Sequence, residues 1–368
     1  MRNKPSTSDT SSTLRMRKGR GALTNRSGRY EHVARETIDD GWGSGDESLA
    51  PLRTTVTIDS SRSIIARNQS PDVPFGQSIN PYRGCEHGCV YCFARPTHAY
   101  LGLSPGLDFE SRLFAKPDGP RLLERELENP SYRCKVIGLG TNTDPYQPIE
   151  RKWRITRRIL EVLAACRHPL TIVTKSSLVE RDIDILAVMA RERLVHVTLS
   201  LTTFDRQLAR RMEPRATAPQ RRLQTVETLS QAGIPTGVLV APVIPGLNDN
   251  EMEAIVRACA EAGAQAAGYV LLRLPLEIKA LFKEWLSQHY PLRKNHVMSL
   301  IRQTRQGREN DASFGTRMTG TGAYADLIAR RFDVICKQLG LNRAVEVLDT
   351  TRFRAPLSTG VQPDLFER

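Results

Sequence analysis

The chain of 368 residues reads as an α/β protein built on a partial (β/α)6 TIM-like barrel. Short apolar runs recur six times between residues 78 and 272, each followed by a stretch with helical apolar spacing. Strand-then-helix repeats of this kind make a parallel sheet with right-handed crossovers. The segments that carry chemistry fall directly after these runs, at the strand ends where a barrel of this type gathers its site.

The elements follow in order. Residues 1–50 lack apolar periodicity and are expected to form a disordered arm, with Trp42 as an anchor. Its first 35 residues hold nine Lys and Arg (Arg2, Lys4, Arg15, Arg17, Lys18, Arg20, Arg26, Arg29, Arg35) against Asp9 and Glu31. Such an arm can neutralise nucleic-acid phosphates without sequence preference; a solvated tail explains the charge as well. An acidic patch follows (Glu36, Asp39, Asp40, Asp46, Glu47) and could fold back on it.

Residues 51–275 form the core with its lead-in. Residues 54–58 alternate like an edge strand, and the barrel strands are expected at 78–82, 135–140, 170–174, 195–201, 236–240 and 268–272. Between them, 152–167 puts Ile155, Ile159, Leu163 and Cys166 on one helical face. Residues 276–348 read as a helical extension with helices at 277–289, 296–303 and 324–339. Within it, 314–322 is rich in glycine but lacks the P-loop lysine, so it reads as a turn. Residues 349–368 are expected to be a loose tail.

Composition narrows the class. Apolar residues make up 40% of the chain, enough for a sizeable core, and no run approaches the ~18 apolar residues of a membrane helix. The first residues have no apolar stretch of a secretory leader. Seven cysteines, an odd number with three clustered, argue against a disulfide framework and for a reducing, cytoplasmic setting. Cys134, Cys166, Cys259 and Cys336 are scattered on periodic segments and read as core residues.

The other three carry the most information. Cys85, Cys89 and Cys92 are spaced C-x₃-C-x₂-C in the run Asn80-Pro-Tyr-Arg-Gly-Cys85-Glu-His-Gly-Cys89-Val-Tyr-Cys92-Phe93. Three thiolates on one loop can hold three irons of a [4Fe–4S] cube, which usually takes four cysteines, and leave one iron open. A zinc site with His87 as fourth ligand is the alternative, but structural zinc draws on two separated ligand pairs.

With Tyr91 before the last cysteine, the motif resembles the signature of the radical SAM superfamily. Thr141 to Asp144, Thr174-Lys175-Ser176, Ser200 and Glu213-Pro214-Arg215 resemble, in that order, the group related to spore photoproduct lyase. The resemblance spans about residues 78–273. It implies three Cys ligands to a [4Fe–4S] cluster and S-adenosylmethionine (SAM) at the open iron. It also implies an external one-electron reductant of flavodoxin or ferredoxin type. Thr143 and Asp144 would meet the SAM amino group, Lys175 the methionine carboxylate, and Ser200 the ribose or carboxylate. Val243, in the run Ala241-Pro-Val243-Ile-Pro245-Gly246, would pack on adenine, with Tyr91 in further contact.

The implied reaction is reductive cleavage of SAM and abstraction of hydrogen from a substrate, with nucleic acid suggested by the basic arm. The run Arg210, Arg211, Arg215, Arg221, Arg222 could steer such a substrate. The alternatives are a small metabolite or peptide as substrate, or a non-catalytic iron–sulfur sensor or scaffold. The lyase has a cysteine where this chain has Thr141 and a tyrosine where it has Phe93, so its hydrogen-return route does not carry over.

Overall fold

A computed structural model describes residues 17–31, 52–343 and 347–356. Its strands in chain order are β1 (Thr55–Ile58), β2 (Ile65–Arg67), β3 (Gln77–Ile79), β4 (Tyr82–Arg83), β5 (Arg112–Ala115), β6 (Ile137–Leu139), β7 (Leu170–Thr174), β8 (Val195–Ser200), β9 (Thr236–Val243) and β10 (Ala266–Leu271). Seven of them make one sheet in the order β10-β9-β8-β7-β6-β3-β2. From β3 to β10 neighbours are parallel and follow chain order, the pattern of a partial TIM-like barrel. These are the six expected strands, shifted only at their ends. β2 is the addition, antiparallel at the edge.

The sheet buries its outer face under helices, and in β7 and β8 the alternate positions Thr171, Val173, His196 and Thr198 on the other face are partly buried. Ile137, Leu139, Leu170, Ile172, Val195, Val197 and Leu199 are fully inaccessible, and crossover helices such as Ile155–Ala165, Ile183–Arg191, Pro219–Gln231 and Met252–Glu261 cover the outside. A small second sheet, β1-β5-β4, carries the strand expected at 54–58 on its edge. β4 has two residues and β2 three, too short to show alternation.

The helix expected over 152–167 is broken instead. Glu150–Trp153 ends at Arg154, whose φ is +48°, and Ile155–Ala165 starts afresh. Buried Glu150 fixes the break: its carboxylate accepts the Thr156 N–H at 3.0 Å and the Tyr82 hydroxyl, and pairs with Arg181 at 2.8 Å.

Two further expectations are corrected. The arm predicted to be without structure is packed over residues 17–31. Arg20 is buried, donating to Glu110 O and Leu52 O at 2.6 Å each, while Gly21 N and Ala22 N donate to the Glu110 carboxylate at 2.9 and 2.8 Å. These partners lie far along the chain, so local periodicity carries no trace of them. Trp42, the acidic patch and the remaining arm fall outside the described residues. Likewise the tail is seated over 349–356: Arg354 N donates to Cys166 O at 2.9 Å and Phe353 packs on Tyr132 and His168.

Helices Ile278–His289 and Lys294–Gln303 build a second core under the site. Ile278, Phe282, Trp285 and Val297 pack there with Cys89, Val90, Tyr91, Met212 and Ile244. β2 and β10 end the sheet, and the segments beside them bridge the gap. Asp72, just after β2, accepts the Gly315 N–H at 2.7 Å and pairs with Arg317 at 2.5 Å, while Met318 O accepts the N–H of Leu271 in β10 at 2.8 Å. The glycine-rich segment 314–322 is therefore turn structure holding the open side.

Candidate active site

The cysteine loop leaves the C-terminal end of β3 through β4 and is shaped by two glycines. Gly84 (φ +74°) and Gly88 (φ +68°) take left-handed backbone, where a side chain is disfavoured. A Cβ on Gly84 would stand 2.6 Å from Leu113 Cδ2, and one on Gly88 2.7 Å from Glu110 Oε2. Gln147, fully buried, pins the loop by donating to Gly84 O at 3.1 Å and accepting from Glu86 N at 2.9 Å.

Arg95 holds the second half of the loop. Wholly inaccessible, it donates to Cys89 O (2.8 Å), Gly88 O (3.0 Å), Pro105 O (3.1 Å) and Gly106 O (2.8 Å), and pairs with Glu110 at 2.5 Å. Glu110 also takes Gly21 N and Ala22 N, so the N-terminal segment, the loop and helix Leu107–Ser111 share one buried ion pair.

Cys85 and Cys89 are buried and Cys92 is partly buried. Burial pushes the Cys85 thiol well up, with Asp144 and the other two cysteines adding to the effect. Burial likewise moves Cys89 to about 12, with Glu213 raising and Lys175 lowering it, and it raises Cys92. Thiols placed so become thiolates only on a cation, and three on one loop suit a cluster. Among the described residues, no group of three or more His, Cys, Asp or Glu is placed to hold a single metal ion. His87, the fourth ligand of the zinc alternative, faces Asp144 instead, its Nδ1 3.4 Å from Oδ2.

The other expected site residues gather at neighbouring strand ends. Lys175, just after β7, donates to Ser200 Oγ at 2.9 Å, and its Nζ lies 5.8 Å from the centre of the Tyr91 ring. Ser200 ends β8 and Val243 ends β9, both buried. Thr143 and Asp144, after β6, have their side chains committed within the protein. Thr143 donates to Tyr82 O at 2.8 Å; Asp144 accepts from Thr174 Oγ1 and Lys175 N at 2.7 Å each. Burial favours the neutral acid, but His87, Lys175 N and Thr174 outweigh it and bring Asp144 to about 2.

Sequence reasoning missed a second buried ion pair. Glu213 takes the hydroxyls of Tyr91 and Thr202 and pairs with Arg222, both charges buried. Burial alone would raise Glu213, yet Arg222, Lys175 and the two hydroxyls leave it lowered. This corrects the reading of 210–222 as a basic steering surface. Arg222 is internal, donating to Ser200 O at 2.9 Å, while Arg215 pairs with Glu86 at 3.2 Å and Arg221 with Glu180 at 2.5 Å. Glu213 stood in a recognised motif, but only the fold shows that it anchors Tyr91 beside the cysteines. Arg95, Glu110 and Gln147 had no local signal.

Among the described residues, no helix is long and apolar enough to cross a membrane. Residues 79–259 match the family model of the radical SAM superfamily. An uncharacterized protein of Mycobacterium tuberculosis is 37% identical over 243 residues, 65% of this chain and 72% of that one. One of Methanocaldococcus jannaschii is 30% identical over 213 residues, 58% and 76% of the two chains. A Pseudomonas phage M6 protein named radical SAM Nalpha-GlyT isomerase is 25% identical over 177 residues, 47% of this chain and 35% of its own. Among solved structures, spore photoproduct lyase complexed with dinucleoside spore photoproduct superposes with a TM-score of 0.54 at 15% identity, covering 77% of this chain and 78% of that one. That likeness is one of fold. Together, the matched residues and the relatives that share most of their length with it show that the chain belongs to the radical SAM superfamily of enzymes.

Proposed function

We propose that this enzyme holds a [4Fe–4S] cluster through Cys85, Cys89 and Cys92, binds SAM beside it and takes a hydrogen atom from a substrate. The observation that carries the reading is three thiols on one pinned loop, two buried and one partly so, with the Lys175 cation reaching the aromatic ring between two of them. When bound and given one electron by an outside reductant, cluster and SAM would supply a 5′-deoxyadenosyl radical capable of abstracting hydrogen, with methionine as the other product.

The chain's own residues bind, orient and exclude water. Lys175 offers its ammonium to the methionine carboxylate, and Ser200 a hydroxyl to carboxylate or ribose. Because Asp144 accepts the Lys175 N–H, the lysine's backbone is fixed relative to the β6 loop. Thr143 and Asp144 shape the turn facing the amino group, Asp144 adding its negative charge to the local field. Tyr91, held by Glu213 through its hydroxyl, presents its ring with Val243 as an apolar wall for adenine. The second core behind Cys89 and Tyr91 keeps that side dry.

Members of the family need an outside reductant, here a flavodoxin or ferredoxin type donor. In the described part of the arm, Arg20, Arg26 and Arg29 are tied to Glu110, Glu284 and Glu277 of the body, which engages three of the charges a nucleic-acid substrate would use. Thr141 and Phe93 supply neither thiol nor phenol, so repair of a thymine dimer by the lyase's route is not part of this proposal.

The test is anaerobic reconstitution with iron and sulfide, reduction with dithionite in the presence of SAM, and assay of 5′-deoxyadenosine. Cleavage that disappears in C85A, C89A and C92A supports the reading. Cleavage that survives in any of the three sinks it.

A further inference from the structure

Three guanidiniums converge at the C-terminal end of β10, around the gap in the barrel. Arg305 is buried and donates to Leu271 O (3.3 Å), Leu272 O (3.0 Å) and Thr316 O (3.0 Å). Arg317 pairs with Asp72. Arg273, two residues beyond β10, lies over the Phe93 ring at 5.3 Å, and Phe93 directly follows Cys92. Around them stand two carboxylates, Asp72 and Asp311, and Asp311 is bonded to Thr316 and Ser313 N. All three have an Nε without a hydrogen bond among the described residues, but Arg273 is the one with no oxygen partner on the rest of its guanidinium. Its Nη1 has only the Met318 sulfur at 3.7 Å, and its buried Nε has no partner among the described residues.

A half-buried cation without an anion is costly, and buried Arg305 offsets that cost with three carbonyls while other arginines use acids. Arg95, Arg157, Arg181, Arg222 and Arg331 all meet carboxylates. Burial and neighbouring Arg317 both work against the charge on Arg273, and only Asp72, already engaged, favours it. Among the described residues, no uncommitted carboxylate or carbonyl stands on Arg273 to meet its charge. Phe93 is exposed at 43%, so the guanidinium lies over a ring that solvent reaches, one residue past Cys92.

We infer that Arg273, seated on Phe93, is a substrate-binding residue that receives an oxyanion, phosphate or carboxylate, of the molecule from which hydrogen is taken. A guanidinium presents a donor fork that fits either group, and stacking on Phe93 fixes its plane. The assignment of this anion to substrate rests on the proposed SAM chemistry; the existence of the anion site does not.

The experiment uses the reconstituted protein, with inorganic phosphate and acetate as separate probes followed by ¹⁵Nε resonances of arginine under anaerobic conditions. A saturable shift is expected for one probe or both. The responding probe names the anion class. In R273Q the half-saturating concentration should rise about tenfold or more, the loss of one charge-assisted pair. R273K, which keeps the charge, serves as the folded control and should bind within that tenfold margin. Equal titration of wild type and R273Q overturns the site. Competition between probe and SAM, or a tenfold loss of SAM affinity in R273Q, assigns the anion to the cofactor's carboxylate and overturns the substrate role. Failure of SAM cleavage with the probe site intact would refute the proposed function and leave the anion site standing.

Discussion

Replacing Arg95 by leucine tests most severely how the cysteine loop is held. The change leaves Glu110 buried as an unpaired charge and strips donors from four carbonyls, those of Gly88, Cys89, Pro105 and Gly106. Breaking a buried pair from one side costs about 3–5 kcal/mol, and each carbonyl left without its donor about 1 kcal/mol more. Water recruited to the cavity offsets part of this, so a loss of about 5 kcal/mol or more is expected, comparable to the whole stability of many domains. Urea unfolding of the cluster-free protein measures it, and iron per chain after reconstitution reports the loop. The double variant R95L/E110L should recover about 2 kcal/mol, since the stranded acid is gone, though Gly21 N and Ala22 N lose their acceptor. A loss below about 2 kcal/mol with full iron content would refute the reasoning, because such a pair could not then be what fixes the loop.

Three further outcomes are expected. Gly84→Ala puts a methyl 2.6 Å from Leu113 Cδ2 and 2.8 Å from Phe109 O at a positive φ, and should cost about 2 kcal/mol or more in urea with reduced iron uptake. His98 and His168 are buried, and burial lowers both to about 4. The unfolded chain therefore takes up their protons first, near the ordinary pKa of ~6.5, so stability falls as pH drops from there to about 4, by roughly 3 kcal/mol per histidine. H168Q should flatten the urea midpoint against pH in that window. Lys175→Met should weaken SAM binding about tenfold or more in equilibrium dialysis while iron content stays unchanged.

Much of the frame was legible because the signals are local. Six apolar runs mark the parallel strands, and β7 falls at the expected residues. The C-x₃-C-x₂-C spacing marks the cysteine loop, and Lys175 and Ser200 stand where strand ends put them, in contact with each other. What stayed hidden depends on distant partners. Glu110 binds Gly21 across 89 positions, and no window of sequence links them. Gln147 has no local signal, and only the fold sets it against Gly84. The arginines of 210–222 read as surface charge because the acids that neutralise three of them, Glu86, Glu180 and Glu213, are brought in by folding. The break at Arg154 was invisible because an arginine with positive φ has the same helical propensity on paper as any other.

The central claim is a three-cysteine cube with one iron open to SAM, and electron paramagnetic resonance of the reduced, reconstituted protein tests it most directly. The account predicts the signal of a reduced [4Fe–4S] cluster that changes shape when SAM is added and is absent from C85A, C89A and C92A. A cluster signal indifferent to SAM, or one that persists without any of these cysteines, would contradict it.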